Sequence, residues 1–157
     1  MIKKIISGGQ TGADQAALDV AIKLNIPHGG WIPKGRKTED GRLPDKYELQ
    51  EMLTASYSKR TGQNVLDSDG TLIISHGKLD GGSALTRTLA KKHNHPWIHL
   101  DMDEFTITNA ASIVRSWISR NKIQVLNVAG PRASKNPRIY NTTAEVLESV
   151  LTIDKDR

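Results

Sequence analysis

Short apolar runs alternate along this chain with windows in which apolar residues recur every three or four positions. The first run, Lys3–Ser7, is too short for a helix and predicts a strand. The window after it places Ala17, Val20, Ala21 and Leu24 on one face at i, i+3, i+4, i+7, which predicts a helix from Ala13 to Leu24. A second strand is expected near His28–Ile32, then a long loop over Pro33–Lys46, then a helix carrying Leu49, Met52 and Leu53. A further helix is expected over Tyr57–Val65, and "GTLIIS" (Gly70–Ser75) reads as a buried strand. A helix opening at Ser83, with Leu85, Thr88 and Leu89 inward, leads to a strand at Trp97–Leu100. Asn109 is the expected cap of a helix whose stripe is Ala110, Ile113, Val114, Trp117 and Ile118. "IQVLNVAG" is the last strand, and a helix near Pro137–Leu151 closes the pattern with Ile139, Thr143, Val146, Leu147 and Val150 inward.

Strand and helix repeated in this way predict an α/β fold, with a mostly parallel central sheet of about five strands and helices on both faces. The 157 residues suit one domain, 1–157, with a frayed tail over about 152–157. In such sheets ligands bind beyond the carboxyl ends of the strands, so loops that leave strands carry the functional expectation.

Composition narrows the ligand. Hydrophobic residues are 37% and charged residues 25%, the proportions of an ordinary globular chain. No apolar run approaches the roughly 20 residues that cross a bilayer, and "MIKKIISGG" lacks the apolar stretch of a secretory signal. Cysteine is absent, which excludes disulfides and thiolate chemistry and fits a reducing compartment; a cytoplasmic location is expected, away from membranes. The net charge is +5, but the cations sit in loops and not in blocks, and aromatics are 4%, too few for a base-stacking platform. A small anionic ligand is therefore expected in preference to nucleic acid.

Three strand-exit loops share one chemistry: SGGQTGAD (7–14), SHGKLDGGS (75–83) and AGPRAS (129–134). Each carries glycine and opens a helix, whose first N–H groups and positive dipole end attract anions. Thr11, Ser83 and Ser134 add hydroxyls and Arg132 a fixed charge. The plainer reading is that the glycines serve tight turns and that Thr11, Asp14, Ser83 and Ser134 only cap helices. The loop PKGRKTEDG (33–41) offers Lys34 and Arg36 to an anion, with Glu39 and Asp40 to orient them or to hold Mg or another divalent cation. Its plainer reading is a solvated loop with self-paired charges. Arg60 is a further candidate contact, against the default of a surface arginine. His76 leaves a strand and is a candidate for ligand contact or proton transfer, whereas His93 and His95 enter one and are poor metal ligands. Neither the Walker loop nor the dinucleotide fingerprint fits: Ala13 follows Gly12 where a lysine is needed, and Gln10 stands two residues after Gly8.

Taken in order, GGQTGAD, GGWIPKGRKTEDG, YSKRTGQN, SDGTLIIS, GGSALT and NVAGPRAS resemble the molybdenum cofactor carrier family over nearly the whole chain. That family is similar to a circularly permuted lysine-decarboxylase-like, phosphoribohydrolase-like fold. The resemblance implies a Rossmann-like domain that forms a homo-oligomer, dimer or tetramer, and binds molybdenum cofactor for delivery to molybdoenzymes. It carries over as cofactor contacts Gly8, Gly9, Gln10, Thr11, Gly12 and Asp14; Lys34, Gly35 and Arg36; Gly81, Gly82, Ser83 and Thr86; and Gly130, Arg132 and Ser134. Ile32 departs from it, since many members would place cysteine there, so no thiol is available to ligate molybdenum.

Two functions stay open. A non-catalytic carrier needs affinity without a reactive group, and no nucleophile–base pair is apparent, so no catalytic residue is assigned. The alternative is a nucleoside 5′-monophosphate phosphoribohydrolase, an N-glycosidase, or a nucleotide sensor using the same pocket. The related hydrolases use P-G-G-x-G-T-x-x-E, and here Thr88 and Gln15 stand where the two glycine loops would place that glutamate.

Overall fold

A computed structural model describes residues 1–155. The central sheet contains β1 (Lys4–Ile6), β2 (His28–Gly29), β7 (Gly70–Ser75), β8 (Trp97–Asp101) and β9 (Val125–Ala129). The order is β2-β1-β9-β7-β8, parallel throughout. The helices are α1 (Ala13–Lys23), α2 (Tyr57–Leu66), α3 (Gly81–Lys92), α4 (Ile107–Asn121) and α5 (Ile139–Lys155). The expected Rossmann-like α/β architecture is the one observed.

Strand order decides which helix covers which face. The step from β1 through α1 to β2 runs toward one edge, and the step from β7 through α3 to β8 runs toward the other. Right-handed crossovers therefore put α1 and α3 on opposite faces. The return from β8 through α4 to β9 puts α4 on the α1 side, where α5 joins them. The main core lies on that side, where Ile5, Leu72, Ile74, Leu126 and Val128 meet Trp117, Val146, Leu147 and Val150. α2 and α3 cover the other face. The sheet direction switches between β1 and β7, with β9 between them, and there the strand exits diverge enough to hold a ligand.

Several local expectations need correction. The single strand expected over His28–Ile32 is two: β2 stays in the main sheet, while β3 (Trp31–Ile32) turns away to pair with β6 (Gln50–Glu51). The break falls at Gly30, which has φ 126° and passes so close to β1 that a Cβ would sit 2.1 Å from the Ser7 carbonyl oxygen. The long loop holds an antiparallel ribbon, β4 (Lys37–Thr38) with β5 (Gly41–Arg42). No helix carries Leu49, Met52 and Leu53. The buried Arg36 guanidinium donates to the carbonyls of Leu43, Pro44, Tyr47 and Leu49 at 2.7–3.2 Å. Those carbonyls are thus bound across the segment instead of along a helix, and Leu53 is 98% exposed. A second small core of Leu18, Ile32, Leu43, Tyr47 and Leu49 seats this segment on α1.

α3 turns Ser83, Thr86 and Ala90 inward, not Thr88, which is exposed. The cap of α4 is Thr106, whose hydroxyl accepts from the Asn109 N–H at 3.1 Å. α5 continues to Lys155, past the point where fraying was expected; 156 and 157 lie outside the described residues.

Candidate functional site

The exits of β1, β7 and β9 meet beneath α2 and α3 around a cavity of about 430 Å³. The β1 exit contributes Gly8, Gln10 and Asp14 to its wall; β9 and its exit contribute Asn127, Gly130, Arg132 and Lys135. The first turns of α3 bring Gly81, Gly82, Ser83 and Thr86, and α2 brings Tyr57 and Arg60. The three glycine loops, far apart in sequence, therefore share one cavity.

The cavity wall carries two chemically distinct groups of residues. In the first group, α3 begins at Asp80, whose side chain makes no cap hydrogen bond, and its first turn holds Gly81, Gly82 and the buried Ser83. Lys135 reaches over this turn: its Nζ would lie 2.8 Å from a Cβ on Gly81, and it pairs with Asp80 at 3.6 Å. Unbonded N–H groups, a positive dipole end and an ammonium make this an anion seat. The second group is Asp14 and Arg60. Arg60 Nη1 donates to the Gly8 carbonyl at 2.5 Å, with the guanidinium 5.5 Å from the Tyr57 ring centre. Gly8 is needed for that approach, because a Cβ there would meet Nη1 at 2.2 Å.

Asp14 is 7% exposed and accepts from the Gln10 N–H at 3.2 Å. Burial pushes its carboxyl up to about 6, against the opposing pull of Arg60 and of the Gln10 and Gly8 N–H groups. Burial likewise lowers Arg60 from its ordinary value. Asn127 stands on the sheet floor, 3% exposed, with Nδ2 donating to Thr71 Oγ1 at 3.2 Å.

Glu39 ties the rim together. From the tip of the β4–β5 ribbon its carboxylate accepts from the Ser134 N–H at 3.1 Å, the Ser134 hydroxyl at 2.5 Å and the Thr11 hydroxyl. It also pairs with Arg132 Nε at 3.4 Å. The Ser134 hydroxyl and then the Thr11 hydroxyl hold its carboxyl below the usual range. Thr11 Oγ1 accepts from the Ala133 N–H at 3.1 Å, which joins the β1 and β9 exits directly.

Gly8, Gln10, Asp14, Arg60, Gly81, Gly82, Ser83, Thr86, Gly130 and Arg132 are thus gathered around the cavity. The other sequence candidates are not on its wall. Gly9 faces the side chains of Ile32, Leu43 and Leu49, Gly12 lies against the backbone of 131–133, and Thr11 and Ser134 serve the Glu39 latch. Lys34 is exposed, its N–H bonded to the Thr54 carbonyl, and the Gly35 N–H bonds Glu51 Oε2 at 2.9 Å. Arg36, expected to close on an anion, spends its guanidinium on four carbonyls. His76 is not on the cavity wall: Nδ1 pairs with Asp103 at 3.2 Å and Nε2 with Thr142 Oγ1 at 2.9 Å. Among the described residues, no three His, Asp or Glu side chains are grouped to hold a metal ion.

Sequence reasoning passed over Asn127, Tyr57 and Lys135 as site residues. Asn127 had a signal, since a lone amide inside an otherwise apolar buried strand needs a reason. Tyr57 had none, because its relation to the β1 exit depends on where α2 packs.

Residues 5–151 match the model of the circularly permutated YpsA SLOG family. A crystal structure from Syntrophus aciditrophicus SB, of a protein named "Putative molybdenum carrier protein", superposes with a TM-score of 0.95 at 61% sequence identity. The match covers 96% of this chain and 95% of that one. No curated protein sequence matches the chain.

Proposed function

The chain belongs to the circularly permutated YpsA SLOG family, and on that premise we propose that it binds molybdenum cofactor without transforming it, stores it, and hands it to molybdoenzymes. The proposal includes a cytoplasmic location and a homo-oligomeric state. The observation that carries it is the convergence of three glycine-bearing strand exits on one cavity with Arg132 and Lys135 at its wall. That chemistry suits an anionic cargo with a phosphate and a molybdenum oxide. The 61% identical protein named for molybdenum carriage supports the same cargo. No cysteine exists to ligate the metal, so retention depends on burial and hydrogen bonds. Among the described residues no histidine lines the cavity, and the Thr86 hydroxyl donates to the Gly82 carbonyl.

The test is uptake of isolated cofactor under anaerobic conditions. Protein at micromolar concentration should co-elute with cofactor, lengthen its lifetime in air and reconstitute a cofactor-free molybdoenzyme. Arg132→Ala should weaken uptake about tenfold, the size of one charge-assisted hydrogen bond. Absence of both uptake and protection would remove the carrier reading.

A second reading has one observation in its favour. Asp14 is a buried carboxyl at the cavity wall that burial pushes up to about 6, the direction a general acid needs. A phosphoribohydrolase would release adenine from adenosine 5′-monophosphate, and Asp14→Asn would stop it. No adenine release from the unaltered protein ends this reading.

A further inference from the structure

An anion seat does not account for a carboxylate inside it. Asp14 is 7% exposed, has the Gln10 and Gly8 N–H groups as hydrogen-bonding neighbours, and takes part in none of the ion pairs among the described residues. A carboxylate offers about four acceptor positions, so part of its capacity is unspent. Buried charge without a full set of partners is costly, and it persists where a ligand supplies them. Arg60, beside it, spends one donor on the Gly8 carbonyl and has others left in the guanidinium fork. Asn127, on the same floor, commits Nδ2 to Thr71 and leaves its side-chain oxygen without a donor among the described residues. An acceptor and a donor therefore lie side by side on the wall of the same cavity that Lys135 and the α3 N-terminus line.

We propose that Asp14, with Arg60 beside it, reads the edge of a fused heterocycle carrying a 2-amino-4-oxo pyrimidine, the edge that pterins and guanine share, and rejects 6-aminopurines. That edge sets a ring N–H next to an exocyclic N–H, two parallel donors for one carboxylate, with a carbonyl adjacent for the guanidinium. A 6-aminopurine sets an unprotonated ring nitrogen where the second donor should be, and its lone pair opposes a carboxylate oxygen. Sites built to satisfy polar groups discriminate strongly, because the wrong ligand leaves those groups unpaired. The phosphate then falls to Gly81–Ser83 and Lys135, and about 430 Å³ accommodates a bicyclic ring with a phosphate. The inference rests on the carrier reading only in taking the ligand to be a phosphorylated heterocycle.

The experiment is calorimetric titration of the full chain with guanosine 5′-monophosphate, adenosine 5′-monophosphate, a pterin monophosphate and inorganic phosphate. The guanine and pterin ligands should bind at least ~10-fold more tightly than the adenine nucleotide. Asp14→Asn should bring that ratio to within about twofold without weakening inorganic phosphate, and so should pH 5, where Asp14 takes up a proton. A tighter pterin or a tighter guanine nucleotide identifies the source of the edge, and either supports it. Equal binding of the two nucleotides by unaltered protein overturns the inference whether or not the variant folds. So does a ratio that survives Asp14→Asn, or no binding of any monophosphate at millimolar concentration. Uptake of isolated cofactor without nucleotide discrimination would sink this inference and leave the carrier. Discrimination without cofactor uptake would do the reverse.

Discussion

On the face covered by α1, α4 and α5, β7 and β9 present Leu72, Ile74, Leu126 and Val128, none more than 1% exposed. On the face covered by α2 and α3 the same two strands present Thr71, Ser75 and Asn127 beside Ile73. Strand alternation makes the difference possible, since neighbouring residues point to opposite sides. The first face is closed by large side chains such as Trp117 and Leu147, and the one polar atom it leaves without a partner among the described residues, Thr143 Oγ1, is sealed at 0% exposure. The second is bridged by a looser helix pair over a cavity, with charged groups that lack full partners. Stability is thus concentrated on one side of the sheet and affinity on the other, and the two should respond to different substitutions.

The largest effect should come from the closed face. Leu72→Ala removes a fully buried side chain from the middle of the core and should cost about 2–5 kcal/mol of unfolding free energy, read by urea denaturation. Ligand affinity of the remaining folded protein should stay within about twofold, because Leu72 points away from the cavity. A comparable loss of affinity would show that the faces are not separable.

On the open face the sign should reverse. Asp14 titrates at about 6 in the folded chain against an ordinary 3.8, so the folded state holds its proton more tightly than the unfolded state does. Its burden is absent below about pH 4, grows as pH rises through 4 to 6, and is fully present above. Near pH 8 the ionised group should cost on the order of 2–3 kcal/mol. Asp14→Asn should therefore stabilise the protein by about 2 kcal/mol at pH 8, and the gain should vanish by pH 4. A loss of stability at pH 8 would mean that Arg60 and the nearby N–H groups already compensate the charge.

The sheet and its helices were legible in the sequence because their signals are local. Gly70–Ser75 is an apolar run with no competing period, and α1 and α5 carry complete stripes. The segment from 33 to 56 was not legible, because its organiser is one residue acting at a distance. Arg36 binds carbonyls 7 to 13 residues away, and no propensity encodes that. The site was legible to the extent that glycine marks a strand exit. What sequence left undecided was which neighbours each loop would find. His76 was drawn to Asp103 and Thr142 on the far side, and Glu39 reached a loop 95 residues away.

The smallest effect, and the finest probe of the boundary between the two regions, should come from Glu39. Its carboxylate holds Ser134, Thr11 and Arg132, three groups that an anionic ligand would otherwise find at the rim. Its folded value lies below the ordinary 4.5, so its contribution to stability is present above that pH and lost as pH falls through the lowered value. The pair with Arg132 is partly solvated, with the two side chains 18% and 49% exposed. Glu39→Gln should accordingly cost less than about 1 kcal/mol at pH 7. The same change removes a negative charge that competes for Arg132. Inorganic phosphate should then bind roughly two- to threefold more tightly, and the gain should shrink as salt rises to about 1 M. If affinity falls instead, Glu39 is holding Arg132 and the two loops in place and not competing with the ligand. The rim would then belong structurally to the closed side of the molecule, although it borders the cavity.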